Sequence, residues 1–142
     1  MRVCIIGSGL SALALAKALV NQNVFVDIVS NSKNRKIIQS RTIGISKSNY
    51  EYFNSNIINI DKIIWKIKKI EIYSDNLKNE KILNFENDNG ELFSIVKNYK
   101  LYEIMHKSLS SSKLYKKIKQ KNEAINFENY NLIINTDYFS LY

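Results

Sequence analysis

VCIIGSGLSALALAKALVNQNVFVDIVS, residues 3–30, reads as strand, tight glycine turn, helix and strand. Val3 to Ile6 is apolar at every position, the pattern of a parallel strand covered on both faces. Gly7-Ser8-Gly9 breaks it. Leu10 to Val20 then repeats small and apolar residues at helical spacing. Ala12 and Ala16 lie four apart on one face, flanked by Leu13 and Val20, so the helix can sit low on a sheet. Asn21 to Asn23 ends it, with Asn23 suited to a left-handed cap. Val24 to Val29 is the second strand. The order predicts an α/β fold that opens on a Rossmann-like βαβ unit.

The turn also has a chemical reading. In a dinucleotide-binding unit, the first glycine permits the tight turn and the second lets a pyrophosphate approach the backbone. A third small residue lets helix and sheet pack closely. Gly7, Gly9 and Ala12 occupy those three places. The free N–H groups from Gly9 to Ala12 would face the phosphates. Two other readings stay open at this point. The stretch has features of a secretory leader, although Lys17 and the interrupting glycines and serines speak against it. It could also be an ordinary strand–helix turn that holds no ligand. No apolar run reaches the 18 residues of a transmembrane helix.

The tip of the second strand is Val29-Ser30-Asn31, where such sites place an acidic residue for the ribose hydroxyls. Asp27 comes too early, inside the strand. Ser30 would supply a single, weaker hydrogen bond.

The chain is long enough, at 142 residues, for one domain with a real core. Its 21 Lys plus Arg against 13 Asp plus Glu give a formal charge of +8. The excess is mostly Lys spread among Ile and Asn, without an Arg cluster or a nucleic-acid motif, so no nucleic-acid partner is expected. Cys4 is the single cysteine and lies inside the first apolar run. It reads as a buried small side chain, and one Cys suits a reducing compartment. His106 is the only histidine, and no metal-ligand spacing exists.

Ser32 to Gln39 reads as a polar, basic loop. Ser46 would cap a short helix through Tyr50 and Phe53. Arg41, just before it, is a phosphate or cofactor contact or a solvated loop residue, and spacing alone favours the second. Ile57 to Ile64 gives no clear state. Ile70 and Ile72 alternate with charged residues, which predicts a half-buried strand over Ile67 to Tyr73. Ser74 to Lys81 reads as a turn. Ile82 to Phe85 would pair back as a hairpin, Asp88-Asn89-Gly90 would turn again, and Leu92 to Val96 would be a further strand. Together, residues 67–96 read as an antiparallel β insertion. Asn98 to Leu109 reads as a helix, with Leu101, Met105 and Leu109 on one stripe. Leu114 to Ile118 and Ile125 to Phe127 are short strand candidates. Leu132 to Ile134 is a parallel-type strand running into Asn135-Thr136-Asp137.

Five segments in this order carry a resemblance. They are residues 3–30; SRTIGIS at 40–46; KIKKIEIYSD at 66–75; Leu83-Asn84-Phe85 followed by LFSIVKNYKLYEIM at 92–105; and YNLIINTDYFS at 130–140. The chain resembles the N-terminal part of the flavin-dependent aromatic hydroxylases of ubiquinone biosynthesis, within the single-component FAD monooxygenases. The resemblance implies one partial FAD-binding domain over residues 1–142, with its ADP-binding unit at 1–30. It implies FAD as cofactor and NAD(P)H as co-substrate. By the same carry-over Gly7, Gly9 and Ala12 face the pyrophosphate, Ser30 stands at the ribose position, and Arg41 and Asn98 lie near the flavin. No catalytic acid or base is assigned.

Several positions depart from the family pattern. Ser30 replaces the acidic residue, Lys66 the Pro, Phe93 the Gly and Lys97 the Glu. Asn135-Thr136-Asp137-Tyr138 replaces Gly-Ala-Asp-Gly. The family's second flavin-binding Asp-Gly segment has no counterpart, so the expectation is a truncated or split member. The implied partners are a phenolic or prenylated substrate and a separately encoded C-terminal half. The implied location is cytoplasmic, with a peripheral seat at the inner face of the membrane by analogy with lipid-soluble substrates. Two rival expectations are a non-catalytic FAD-type module and a plain αβ protein for an anionic surface.

Overall fold

A computed structural model describes residues 1–30, 39–75, 80–86, 90–119 and 126–137. Most of the expected basic loop, the expected turn tips near residues 76–79 and 88–89, Ile125 and Tyr138 lie outside these residues.

The opening stretch folds as its pattern predicts. β1 (Arg2–Ile6) leads through the glycine turn into α1 (Leu10–Asn21) and then β2 (Phe25–Ser30). β1 and β2 pair in parallel, Val3 opposite Val26 and Ile5 opposite Ile28. The buried residues of α1 are Ala12, Leu13, Ala16 and Val20, the stripe read from the sequence. Asn23 adopts φ +60° and donates its N–H to the Val20 carbonyl at 3.0 Å, closing the helix end. β8 (Tyr115–Lys119) and β9 (Leu132–Asn135) complete a parallel sheet of order β8-β2-β1-β9.

A second, antiparallel sheet contains β3 (Thr42–Ile45), β7 (Phe93–Lys97) and β4 (Ile64–Ile67), in the order β3-β7-β4. α2 (Lys47–Tyr52) follows β3, and Ser46 caps it by accepting the Asn49 N–H at 3.3 Å. β5 (Lys69–Tyr73) and β6 (Lys81–Glu86) form a separate hairpin. α3 (Asn98–Ser110) packs on α1 and buries Leu101, Met105 and Leu109. One core joins these elements: Val3, Ile5, Val26 and Ile28 of the parallel sheet, the α1 and α3 stripes, and Ile45 and Val96 of the second sheet.

The structure corrects three expectations. β7 does not continue the β5–β6 hairpin but lies between β3 and β4, because Ile43, Val96 and Ile64 align to cover the core. Phe127–Asn129 is a tight helical turn, not strand. The Ile70/Ile72 alternation does form β5, yet Ile72 is 43% exposed, because nothing among the described residues covers that face.

Register shows that two sheet faces are apolar and, among the described residues, only partly covered. On the outer side of the second sheet, Trp65 pairs with Ile95 and Ile67 with Phe93. None of the four joins the core, and Trp65 is 70% exposed. On the hairpin, Ile70 pairs with Phe85 and Ile72 with Leu83, while its other face carries Lys69, Glu71, Lys81 and Glu86. Antiparallel sheets that face water usually do so with a polar side. These two present carbon.

Candidate functional site: the glycine turn and its neighbouring cleft

The turn is built from both ends of the described chain. Gly7 has φ +123°, a backbone that L side chains rarely adopt. Its N–H donates to the Val29 carbonyl at 2.8 Å, which fixes the turn beside the tip of β2. From the opposite side, Thr136 donates to the Ile6 carbonyl with its N–H at 2.8 Å and its hydroxyl at 2.9 Å. A Cβ on Gly7 would run into the Thr136 hydroxyl oxygen. Gly7 is therefore required by both its dihedral angle and its neighbour.

Gly9 answers to a different demand. Its φ is −78°, which any residue tolerates, and a Cβ there would meet nothing within 4 Å. The space above it is open. Gly9 begins α1 without a side-chain cap, and no acidic residue lies in the first turn. The first N–H groups of a helix have no intrahelical acceptor and carry the positive end of its dipole. This end of α1 can hold an anionic group directly on the backbone. Ala12 is completely buried, so its side chain packs helix to sheet and only its N–H remains for a ligand.

Arg41 and Asn98 come together at the end of the β3–β7 pair, where the Asn98 N–H donates to the Arg41 carbonyl at 3.0 Å. The Arg41 side chain is exposed, and no described residue pairs with it. Asn98 Oδ1 is buried without a hydrogen-bond partner. A buried acceptor left open is costly unless a ligand or water satisfies it.

A cleft of about 410 Å³ opens beside the first turns of α1. Leu10, Ser11 and Ala14 of α1 form one wall and Ile43 to Ile45 of β3 another, with Leu101 and Met105 of α3 behind. The lining contains no carboxylate, histidine, lysine or arginine. Among the described residues, no cluster of His, Cys, Asp or Glu suits a metal. The residues fit a flavin dinucleotide at its diphosphate, where Gly9 leaves room, and in the cleft, whose lining is mostly apolar. They fit less closely at the ribose, where Ser30 stands for a carboxylate.

One polar cluster belongs to structure rather than to this site. Asp27 is buried on β2 and accepts from Arg2 Nη2 at 2.8 Å and from the Tyr130 hydroxyl at 2.7 Å. The Arg2 guanidinium also lies over the Tyr130 ring, 5.6 Å from its centre. Burial and the Asp27 carboxylate push the Tyr130 hydroxyl up to about 12. Burial, with Asp27 nearby, raises the Cys4 thiol, so Cys4 is no ready nucleophile. Sequence reading missed both this latch and Thr136, since each joins residues more than 100 positions apart.

No protein-family profile matches the chain, and no curated protein does. Solved structures do. The chain is similar to 2,6-dihydroxypyridine-3-hydroxylase from Arthrobacter nicotinovorans, at 19% identity and a TM-score of 0.59 over 82% of this chain and 28% of that one. It is similar to PqsL, a probable FAD-dependent monooxygenase from Pseudomonas aeruginosa, at 14% identity and a TM-score of 0.67 over 84% and 32%. It is also similar to Klebsiella pneumoniae HpxO, solved with FAD and uric acid, at 16% identity and a TM-score of 0.63 over 82% and 30%. The chain thus spans about a third of the length of these proteins. Its fold, a parallel sheet with antiparallel companions, is the one found in FAD-dependent monooxygenases.

Proposed function

We propose that the chain is the cofactor-holding part of an FAD-dependent aromatic-ring monooxygenase of the ubiquinone-biosynthesis type, working as a fragment or split subunit. The observation that carries this reading is an open glycine turn whose helix, through Leu10, Ser11 and Ala14, also lines a largely apolar cleft. The first turn of α1 binds the diphosphate. Asn98 Oδ1 accepts from a ligand N–H, and the Arg41 guanidinium offsets negative charge. The apolar cleft excludes water. A bound flavin would supply the redox chemistry, with NAD(P)H as reductant. Substrates are phenolic or prenylated rings. The partner is a separately encoded C-terminal half, seated on the bare apolar faces.

A second reading has its own support. The cleft lining holds no strong acid or base, which suits a non-catalytic FAD-type module or partner protein. One titration tests the shared premise. Adding the purified chain to FAD is expected to quench and shift the flavin emission, and unchanged emission would remove both readings. Sedimentation with lipid vesicles tests a peripheral seat at the cytoplasmic membrane face. Among the described residues, no helix is long and apolar enough to cross a membrane.

A further inference from the structure

One wall of the cleft is short and lightly held. Asn49, Tyr52 and Phe53 line the cleft, and their spacing of three and four places them on one face of α2 and its continuation. α2 has six residues and buries none of them. A helix this short does not persist on its own backbone bonds. Its start is capped by Ser46, and Phe53–Ile57 continues it as a wide π-type turn. Such turns are uncommon and recur at functional sites. The far end of the turn is anchored, because Ile57 is buried and the Asn21 amide donates to the Asn56 and Ile57 carbonyls, at 2.9 Å each.

Tyr50 and Asn54, four apart, stand on another face and meet a single carboxylate. The Tyr50 hydroxyl and the Asn54 amide donate to Asp61 Oδ1, the amide at 2.7 Å. The Asn59 amide donates to Oδ2 at 3.0 Å. These donors, Tyr50 foremost, hold the Asp61 carboxyl below the usual carboxylate range, so it accepts as a charged group at neutral pH. Lys66 Nζ lies 5.2 Å from the centre of the Tyr50 ring and pairs with Glu91 at 3.3 Å, adding a cation beside the tyrosine. Asp61 itself does not line the cleft. Exposed polar contacts with little buried carbon beneath them open more readily than a packed core.

We infer that α2 is the movable wall of the cleft and that Asp61, through Tyr50 and Asn54, is the positioning residue that latches it shut. With the contacts made, Asn49, Tyr52 and Phe53 close the cleft. With them broken, α2 swings between its Ser46 cap and the anchored turn and lets a ligand in or out. The effect on ligand entry rests on the proposed cofactor site, whereas the gate itself does not.

Two measurements on the full chain test it. In the first, Ala14→Cys puts a thiol in the cleft wall, with Cys4 silent because it is buried. Adding Asp61→Asn is expected to quicken labelling of that thiol by a maleimide about three- to tenfold, and adding Tyr50→Phe by a smaller factor. Amide exchange is expected to lose protection in α2 while α1 and α3 keep theirs. In the second, stopped-flow mixing with FAD is expected to show entry and exit quickened by similar factors, with affinity changed less than about twofold, since the latch is the same in the empty and the filled protein. A merely structural role would speed exit alone. Unchanged labelling in both variants, protection lost in α1 and α3 as well, or faster exit without faster entry overturns the inference. Faster labelling in a chain that binds no FAD upholds the gate and removes the cofactor reading.

Discussion

Gly7 and Gly9 look alike in the sequence, yet the structure separates their roles. Gly7→Ala places a methyl group against Thr136 on a backbone at φ +123°. It is expected to cost about 2–4 kcal/mol of stability, read from urea unfolding. Gly9→Ala meets nothing and keeps an ordinary backbone. It is expected to lower the urea midpoint far less than Gly7→Ala, since only the better helix-capping of glycine is lost, while weakening nucleotide binding, because its methyl group occupies the ligand's space. Equal loss of stability in the two variants would contradict this division. The tyrosines give a pH test. Burial pushes the Tyr115 and Tyr130 hydroxyls up from 10.0 to about 12. A raised pKa favours the neutral form in the folded state. The stability it confers is complete below about pH 10 and lost as pH climbs towards 12. Urea titrations across that window are expected to show a falling midpoint, and Tyr130→Phe is expected to flatten part of the fall.

At the scale of elements, much was legible, because local pattern decided it. The α1 stripe of Ala12, Leu13, Ala16 and Val20 is buried as its spacing predicts, since helix periodicity and burial are the same fact viewed twice. Overfilling it with Ala16→Leu is expected to cost about 1–3 kcal/mol, measured by thermal or urea unfolding. β7 was legible as a strand but not in its pairing. Nothing within residues 92–97 reveals that Thr42 to Ile45 runs alongside, because antiparallel partners are chosen by the shared core. The β5–β6 hairpin was legible as a pair, but its bare face was not. On its polar face, Glu71 accepts from Lys81, Lys69 and Tyr73, and these partners lower its carboxyl to about 2. That contribution is present above the ordinary 4.5 and lost as pH falls through 2. The protection of the β5 and β6 amides, relative to their intrinsic exchange rates, is expected to fall across that window, and Glu71→Gln is expected to lower it already at neutral pH.

At the scale of the molecule, Trp65 is the chain's one tryptophan and stands on the bare face of the second sheet. Acrylamide is expected to quench its emission fully in the isolated chain, and a completing partner is expected to shield it. A shielded Trp65 in the dilute isolated chain would mean that this face is already covered. The candidate site was half legible at this scale. The turn is contiguous and announced itself, whereas Thr136 reaches it from 130 positions away. That distance has a consequence for synthesis. β1 is made well before its β9 neighbour, which follows it by about 130 residues. The seam between them closes only after a long loop is drawn in, which slows folding more than it weakens the product. A nascent chain therefore carries its glycine turn unfinished until β9 has left the ribosome. Any nucleotide that grips the finished turn pulls the closing equilibrium forward by mass action.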